Sequence, residues 1–170
     1  ERGLKMGEVD LVIALDCGTN SSNEAKYLEE RGIDLIVVDH HQSKEKLPSN
    51  AILVNPHLSK DHGEPWRFLC TAGLAFKLIH GMLKKLRQDG NKVALELSPK
   101  ESIGLSGLGT IADLVPLKNE NRILANFGLK YLSQQSGIGV QALLKEAKVE
   151  NTSLVGEDVA FKIAPRINAC

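Results

Sequence analysis

Five apolar residues in six, closed by three side chains that can carry chemistry, constrain this chain more than any other feature. Ile33-Asp34-Leu35-Ile36-Val37-Val38 runs directly into Asp39-His40-His41. A short apolar run containing Val and Ile predicts a strand buried on both faces, the kind found inside a parallel sheet. In open α/β sheets the carboxyl end of such a strand faces the ligand crevice. One carboxylate and two imidazoles emerging there make a donor set for a divalent transition metal such as manganese or zinc.

Upstream, Leu11-Val12-Ile13-Ala14-Leu15 is a second apolar run that ends at Asp16, and Cys17-Gly18-Thr19-Asn20 turns the chain. Ser21 with Glu24 three positions on has the capping-box pattern and predicts a helix start, with Ala25 and Leu28 inward and Arg31-Gly32 as the stop. Residues 10–41 therefore spell strand, helix, strand, a right-handed βαβ unit. Asp16 and Asp39 each lie one step past the end of a buried strand. Parallel neighbours put those ends side by side, so Asp16, Asp39 and His40 should converge although the two aspartates are 23 positions apart (39 − 16).

Residues 42–50 read as a polar loop with Lys44, Lys46 and Pro48, and Ala51-Ile52-Leu53-Val54 as a third strand closed by Asn55-Pro56. Residues 57–66 are turn-rich, and His57 and His62 read as surface residues. A helix is predicted over about 69–87, with Leu74, Leu78 and Leu83 on one side and His80 structural. Its basic end, Lys84, Lys85 and Arg87, reads as a solvated face. Residues 88–97 read as a link. Ser98-Pro99-Lys100-Glu101 predicts a helix start with Ser98 as cap. Gly104, Gly107 and Gly109 permit close packing in the helix that follows. Asp113 stands inside the apolar run 110–116, and a buried carboxylate needs a cation or donors. Asn119 caps a helix over 120–135 with Leu124, Phe127 and Leu132 inward. A shorter helix is predicted over 140–147, and another over 156–164 that stops before Pro165.

Composition narrows the function classes. Apolar residues are 42% and aromatics 4%, so Leu, Ile, Val and Ala must build the core. Lys plus Arg and Asp plus Glu are 21 each, which gives no overall pull toward nucleic acid or membrane; anion binding must come from a local site. No apolar run approaches the roughly 18 residues of a membrane span. Cys17, Cys70 and Cys170 have no C-x-x-C spacing and read as reduced thiols of a cytosolic protein. Glu1 and Cys170 do not read as natural termini, and a piece of a longer protein is expected.

Four blocks occur in one order: Asp16-Cys17-Gly18 after a strand, Val38-Asp39-His40-His41, then Gly109-Thr110-Ile111-Ala112-Asp113-Leu114-Val115-Pro116-Leu117 followed by Glu120-Asn121-Arg122, and Ala164-Pro165-Arg166-Ile167-Asn168-Ala169. Together with Cys70 to Leu78 they resemble the DHH phosphoesterase superfamily, and within it the single-strand-specific 5′→3′ DNA exonucleases of bacteria. The resemblance implies an α/β fold: a doubly wound, mainly parallel sheet, truncated at its N-terminal side, followed by a helical portion. Residues 1–150 would be part of the catalytic domain, about 1–60 the sheet and 68–150 the helices, with 151–170 starting the connection to a later domain.

The resemblance also implies a two-metal site holding Mn2+ or Mg2+. Asp16, His40 and Asp113 would be ligands, Asp39 would stand at the site, and His41 would face metal or scissile phosphate. Arg166 and Asn168, with His41, would approach the nucleic-acid backbone. The implied partner is single-stranded DNA, in repair and recombination in the bacterial cytoplasm. The superfamily's first motif, Asp-x-Asp-x-x-Gly, is absent here and is expected upstream of Glu1, so these residues should hold only part of the metal site and be inactive or nearly so alone.

Plainer readings stand beside these. Asp16 can cap the turn at Cys17-Gly18, His40 and His41 can belong to a surface loop, and Asp113 can be a helix-end carboxylate satisfied by backbone donors. Arg166 can pack on the preceding helix, and Cys17 fits as a small apolar residue in a tight turn. Two other functions compete: hydrolysis of short oligonucleotides, cyclic dinucleotides or pyrophosphate, and a metal- or DNA-binding module without catalysis.

Overall fold

The three short apolar runs of the first 67 residues form three parallel strands. The computed structural model describes residues 8–43, 46–61, 63–135, 137–150 and 154–169; the readings of residues 1–7, Lys44, His62 and Cys170 fall outside them. Two units are present, divided between Arg67 and Phe68. In the first, β1 (Leu11–Leu15), β2 (Asp34–Val38) and β3 (Ile52–Val54) form a sheet of order β1-β2-β3. The register pairs Leu15 with Val38 and Val38 with Val54, so all three strands end level.

Helix α1 (Ser22–Glu29) joins β1 to β2 as expected of a βαβ unit. Its Ala25 and Leu28 pack on Val12, Ala14, Leu35, Val37 and Leu53, one face of the sheet. β2, the central strand, is largely buried, with Val37 and Val38 fully inaccessible. β1 differs from the buried strand expected: Leu11, Ile13 and Leu15, like Ile52 and Val54 of β3, are 41–64% exposed. Alternation explains it, since these residues lie on the face away from α1. Ser21 does occupy the α1 cap position, but its side chain makes no capping bond.

The second unit is helical: α2 (Thr71–Gln88), α3 (Lys92–Glu96), α4 (Lys100–Ala112), α5 (Asn119–Gln135), α6 (Ile138–Glu146), α7 (Gly156–Asp158), a π-helical turn (Val159–Ile163) and α8 (Ala164–Asn168). Its core gathers Leu108, Ile111, Ala125, Leu132, Leu144, Val159 and Ile163. α4 and α5 cross backbone to backbone. A Cβ on Gly107 would lie 2.6 Å from the Leu124 carbonyl oxygen, and one on Gly128 would lie 2.6 Å from the Gly107 Cα. Only glycine fits at either position.

That crossing explains one missed side chain. Leu124, Gly128 and Leu132 are spaced by four and share the buried face of α5. Phe127 falls off that face and is 54% exposed rather than inward. The link expected over 88–97 contains α3, whose cap Asn91 accepts from the Ala94 amide at 3.0 Å. Arg87 donates to the Ala94 carbonyl at 2.8 Å and to the Leu97 carbonyl, so it ties α2 to α3. Helix α4 starts one residue later than predicted, with Pro99 rather than Ser98 as its cap. The last helical stretch does not stop before Pro165. Pro165 lies within α8, directly after the π-helical turn, whose altered hydrogen-bond spacing accommodates a residue with no N–H. Among the described residues no helix is long and apolar enough to cross a membrane.

Two glycines to alanine should move stability in opposite directions. Gly128→Ala forces α4 and α5 apart and should cost about 1–3 kcal/mol. Gly81→Ala, on α2 with nothing within 4 Å of its would-be Cβ, should stabilise by about 0.5–1 kcal/mol. Thermal melting of both variants checks the pair.

Candidate functional site

Parallel pairing brings the ends of β1, β2 and β3 together, and the site is built on the turns that follow them. The Asp16 amide donates to the Val38 carbonyl at 3.0 Å and the Asp39 amide to the Val54 carbonyl at 3.0 Å. Asp16 has φ +64°, a left-handed conformation uncommon for a residue with a side chain. Gly18, at φ +106°, lies where a Cβ would come 3.1 Å from the Val37 side chain. This sharp turn brings Thr19 under the end of β2.

Asp39 is 1% exposed and accepts from several donors. Its Oδ1 accepts from the His40 amide at 2.8 Å, the His41 amide at 3.2 Å and His41 Nδ1 at 2.7 Å, while Oδ2 accepts from the Thr19 amide at 3.2 Å. Burial pushes its carboxyl up. The hydrogen bonds from Thr19 and His41 outweigh burial and hold the group well below the usual carboxylate range. Because Asp39 takes His41 Nδ1, the pair presents Nε2 of that ring to a ligand.

Asp16 and His40 meet at 3.4 Å, Oδ1 to Nε2. Two atoms each about 2.1 Å from one ion stand about 3.0–3.4 Å apart, so this separation suits a shared cation. Asp16, His40 and His41 each offer one ligand atom, and these atoms lie within 4.8 Å of one another. One oxygen and two nitrogens form a set suited to a divalent transition ion. The two imidazole rings are tilted at 54° with centroids 4.7 Å apart. His57 is half-buried next to this group, and burial, Arg67 and His40 lower its pKa, in that order.

The expected convergence is therefore met by Asp16 and His40, whereas Asp39 turns beneath them to hold His41. Asp113 belongs to the second unit. It is exposed as the C-terminal cap of α4, not buried in an apolar run, because the helix ends there and Leu114 turns away at φ +54°. Arg166 and Asn168 are exposed on α8, and the Arg166 guanidinium donates to the Lys162 carbonyl. Cys17 is an exposed free thiol and Cys70 a buried one. Sequence reasoning overlooked Thr19 and Asn55, both buried. Asn55 donates to Thr19 Oγ1 and to the His41 carbonyl, each at 2.9 Å. The available signal was a polar residue at the level end of a third parallel strand.

A level row of parallel strand ends carries an Asp/His/His cluster that could hold a metal ion, within an α/β domain. Residues 2–110 match the family described as DHH family, N-terminal domain, and the chain belongs to that family. It is 36% identical over 170 residues to the single-stranded-DNA-specific exonuclease RecJ of Bacillus subtilis, covering 99% of this chain and 20% of that protein. It is 38% identical to the RecJ of Haemophilus influenzae, covering 95% of this chain and 28% of that protein. A crystal structure of exonuclease RecJ bound to manganese superposes with a TM-score of 0.79 at 33% identity, covering 99% of this chain and 39% of that one. RecJ of Thermus thermophilus in complex with Mn2+ gives 0.77 at 34% identity, covering 94% of this chain and 22% of that one. The chain thus spans between a fifth and two-fifths of the length of these relatives.

The Asp39 network carries a pH signature. Its carboxyl sits below the ordinary value of 3.8. The associated stability is complete above about pH 4 and is lost as the pH falls further, toward the depressed folded value. Urea unfolding from pH 7 to pH 2 should show Asp39→Asn less stable than the parent at neutral pH, with the gap shrinking below about pH 4. A gap independent of pH would contradict the assignment.

Proposed function

We propose that this chain is the part of a single-stranded-DNA 5′→3′ exonuclease that carries the histidines and two of the aspartates of a two-metal phosphodiesterase site. The meeting of Asp16 with His40 and His41 at the strand ends carries the reading. Similarity to the RecJ enzymes over 94–99% of the chain, two of them with manganese bound, supports it.

Divalent ions of the manganese or magnesium type supply an acidified water and compensate the charge of the phosphodiester. In this reading Asp16 and His40 bind metal, and Asp113 completes the set. His41, its Nδ1 held by Asp39, turns Nε2 toward the scissile phosphate. Arg166 and Asn168 contact the phosphate backbone of the strand. Substrate is single-stranded DNA of the bacterial cytoplasm, processed in repair and recombination. Residues 1–150 belong to the catalytic domain, with 151–170 leading away from it.

In the full-length protein, Asp16→Ala, His40→Ala and Asp113→Ala should each reduce manganese-dependent cleavage of a single-stranded oligonucleotide by a factor of about 100 or more, through lost metal organisation. Release of labelled nucleotides over a manganese titration is the measurement. Parent-level cleavage by Asp16→Ala or His40→Ala at saturating manganese would overturn the reading.

A further inference from the structure

The Asp39-His40-His41 turn is held by a side chain that lies outside its own motif. Asn55 is buried just past β3. Its Nδ2 donates to Thr19 Oγ1 and to the His41 carbonyl, each at 2.9 Å, and its Oδ1 accepts from the His57 amide at 2.9 Å. The backbone partners set the amide orientation, because a carbonyl requires a donor and an N–H an acceptor. One side chain thereby joins the turns that follow all three strands.

Thr19 passes the constraint on. It is 1% exposed, and its amide donates to Asp39 Oδ2. With Thr19 Oγ1 accepting from Asn55 at 2.9 Å, the residue is held in place while its backbone amide bonds Asp39 Oδ2 at 3.2 Å. Asp39 in turn receives His41 Nδ1 at 2.7 Å. The path thus runs from the Asn55 amide to the Thr19 hydroxyl oxygen, and from the Thr19 backbone amide through the Asp39 carboxylate to the His41 imidazole. Networks of this kind are stiff when every member is satisfied.

We infer that Asn55 is a positioning residue, which acts through Thr19 and the His41 carbonyl to fix the Asp39–His41 pair beside Asp16 and His40. The inference rests on reading Asp16, His40 and His41 as the metal and phosphate site. Asn55→Asp keeps the acceptor for the His57 amide and removes both donors. Thr19→Val keeps the shape of Thr19 and removes the hydroxyl, whereas Thr19→Ser keeps the hydroxyl.

The test uses the full-length protein with manganese and a single-stranded oligonucleotide. Hydrogen–deuterium exchange of peptides covering residues 38–43 should accelerate about tenfold in Asn55→Asp and Thr19→Val and return to the parent rate in Thr19→Ser, while peptides of α5 stay unchanged. Over the same series kcat should fall about tenfold or more, with KM for the oligonucleotide within about threefold. Unchanged exchange at 38–43 in both disrupting variants overturns the inference. If Asn55→Asp also loosens α5, Thr19→Val with its Thr19→Ser rescue decides. Local acceleration in a parent protein that cleaves no DNA with any divalent ion would uphold the clamp and remove the nuclease reading.

Discussion

A carboxylate removed from water at the end of the central strand is the constraint on which the first unit depends. Asp39 is buried, and its ionised form persists only because N–H groups of Thr19, His40 and His41 are brought to it. Two of those donors are local, supplied by the turn that Asp39 begins. The third comes from the turn after β1 and arrives only if β1 and β2 are paired in parallel with Leu15 level with Val38. A slip of one residue would turn the apolar row away from α1 and carry Thr19 away from its acceptor. Packing and polar satisfaction therefore select the same register.

The left-handed backbone at Asp16 belongs to the same arrangement. Its amide closes onto Val38 while its side chain reaches toward His40. Strain of this kind concentrates where a side chain must be aimed rather than merely accommodated. Division of labour follows between two adjacent motif residues: Asp39 is consumed internally to orient His41, leaving Asp16 and His40 to present an oxygen and a nitrogen 3.4 Å apart. The second unit is held by different physics. There the contact of Gly107 with Gly128 sets how closely α4 and α5 approach, and α4 ends with Asp113 as its cap.

Much of this was legible in the chain itself. Short apolar runs gave the strands, and the order of runs and helix signals gave the parallel connection. Asp16 and His40 could be paired because strand ends of a βαβ unit must lie together. What escaped had a common cause. Exposure of Phe127 follows from which glycine of α5 meets α4, not from the period of its apolar residues. The open face of β1 follows from where α1 lies. Pro165 stays helical because a π-helical turn precedes it. Thr19 and Asn55 went unnoticed because neither belongs to a run or a motif with a spacing of its own, and only the meeting of three loops makes them partners.

By itself the sequence determined the class of fold, the strand ends on which chemistry would sit, and the donor types available there, because periodicity and side-chain identity are local properties. Tertiary structure alone decided that Asp39 faces inward while Asp16 and His40 face each other, and that an asparagine 14 residues after His41 secures the turn (55 − 41). Those outcomes depend on distances between segments remote in the chain, which pairing and packing fix and which no stretch of residues specifies alone.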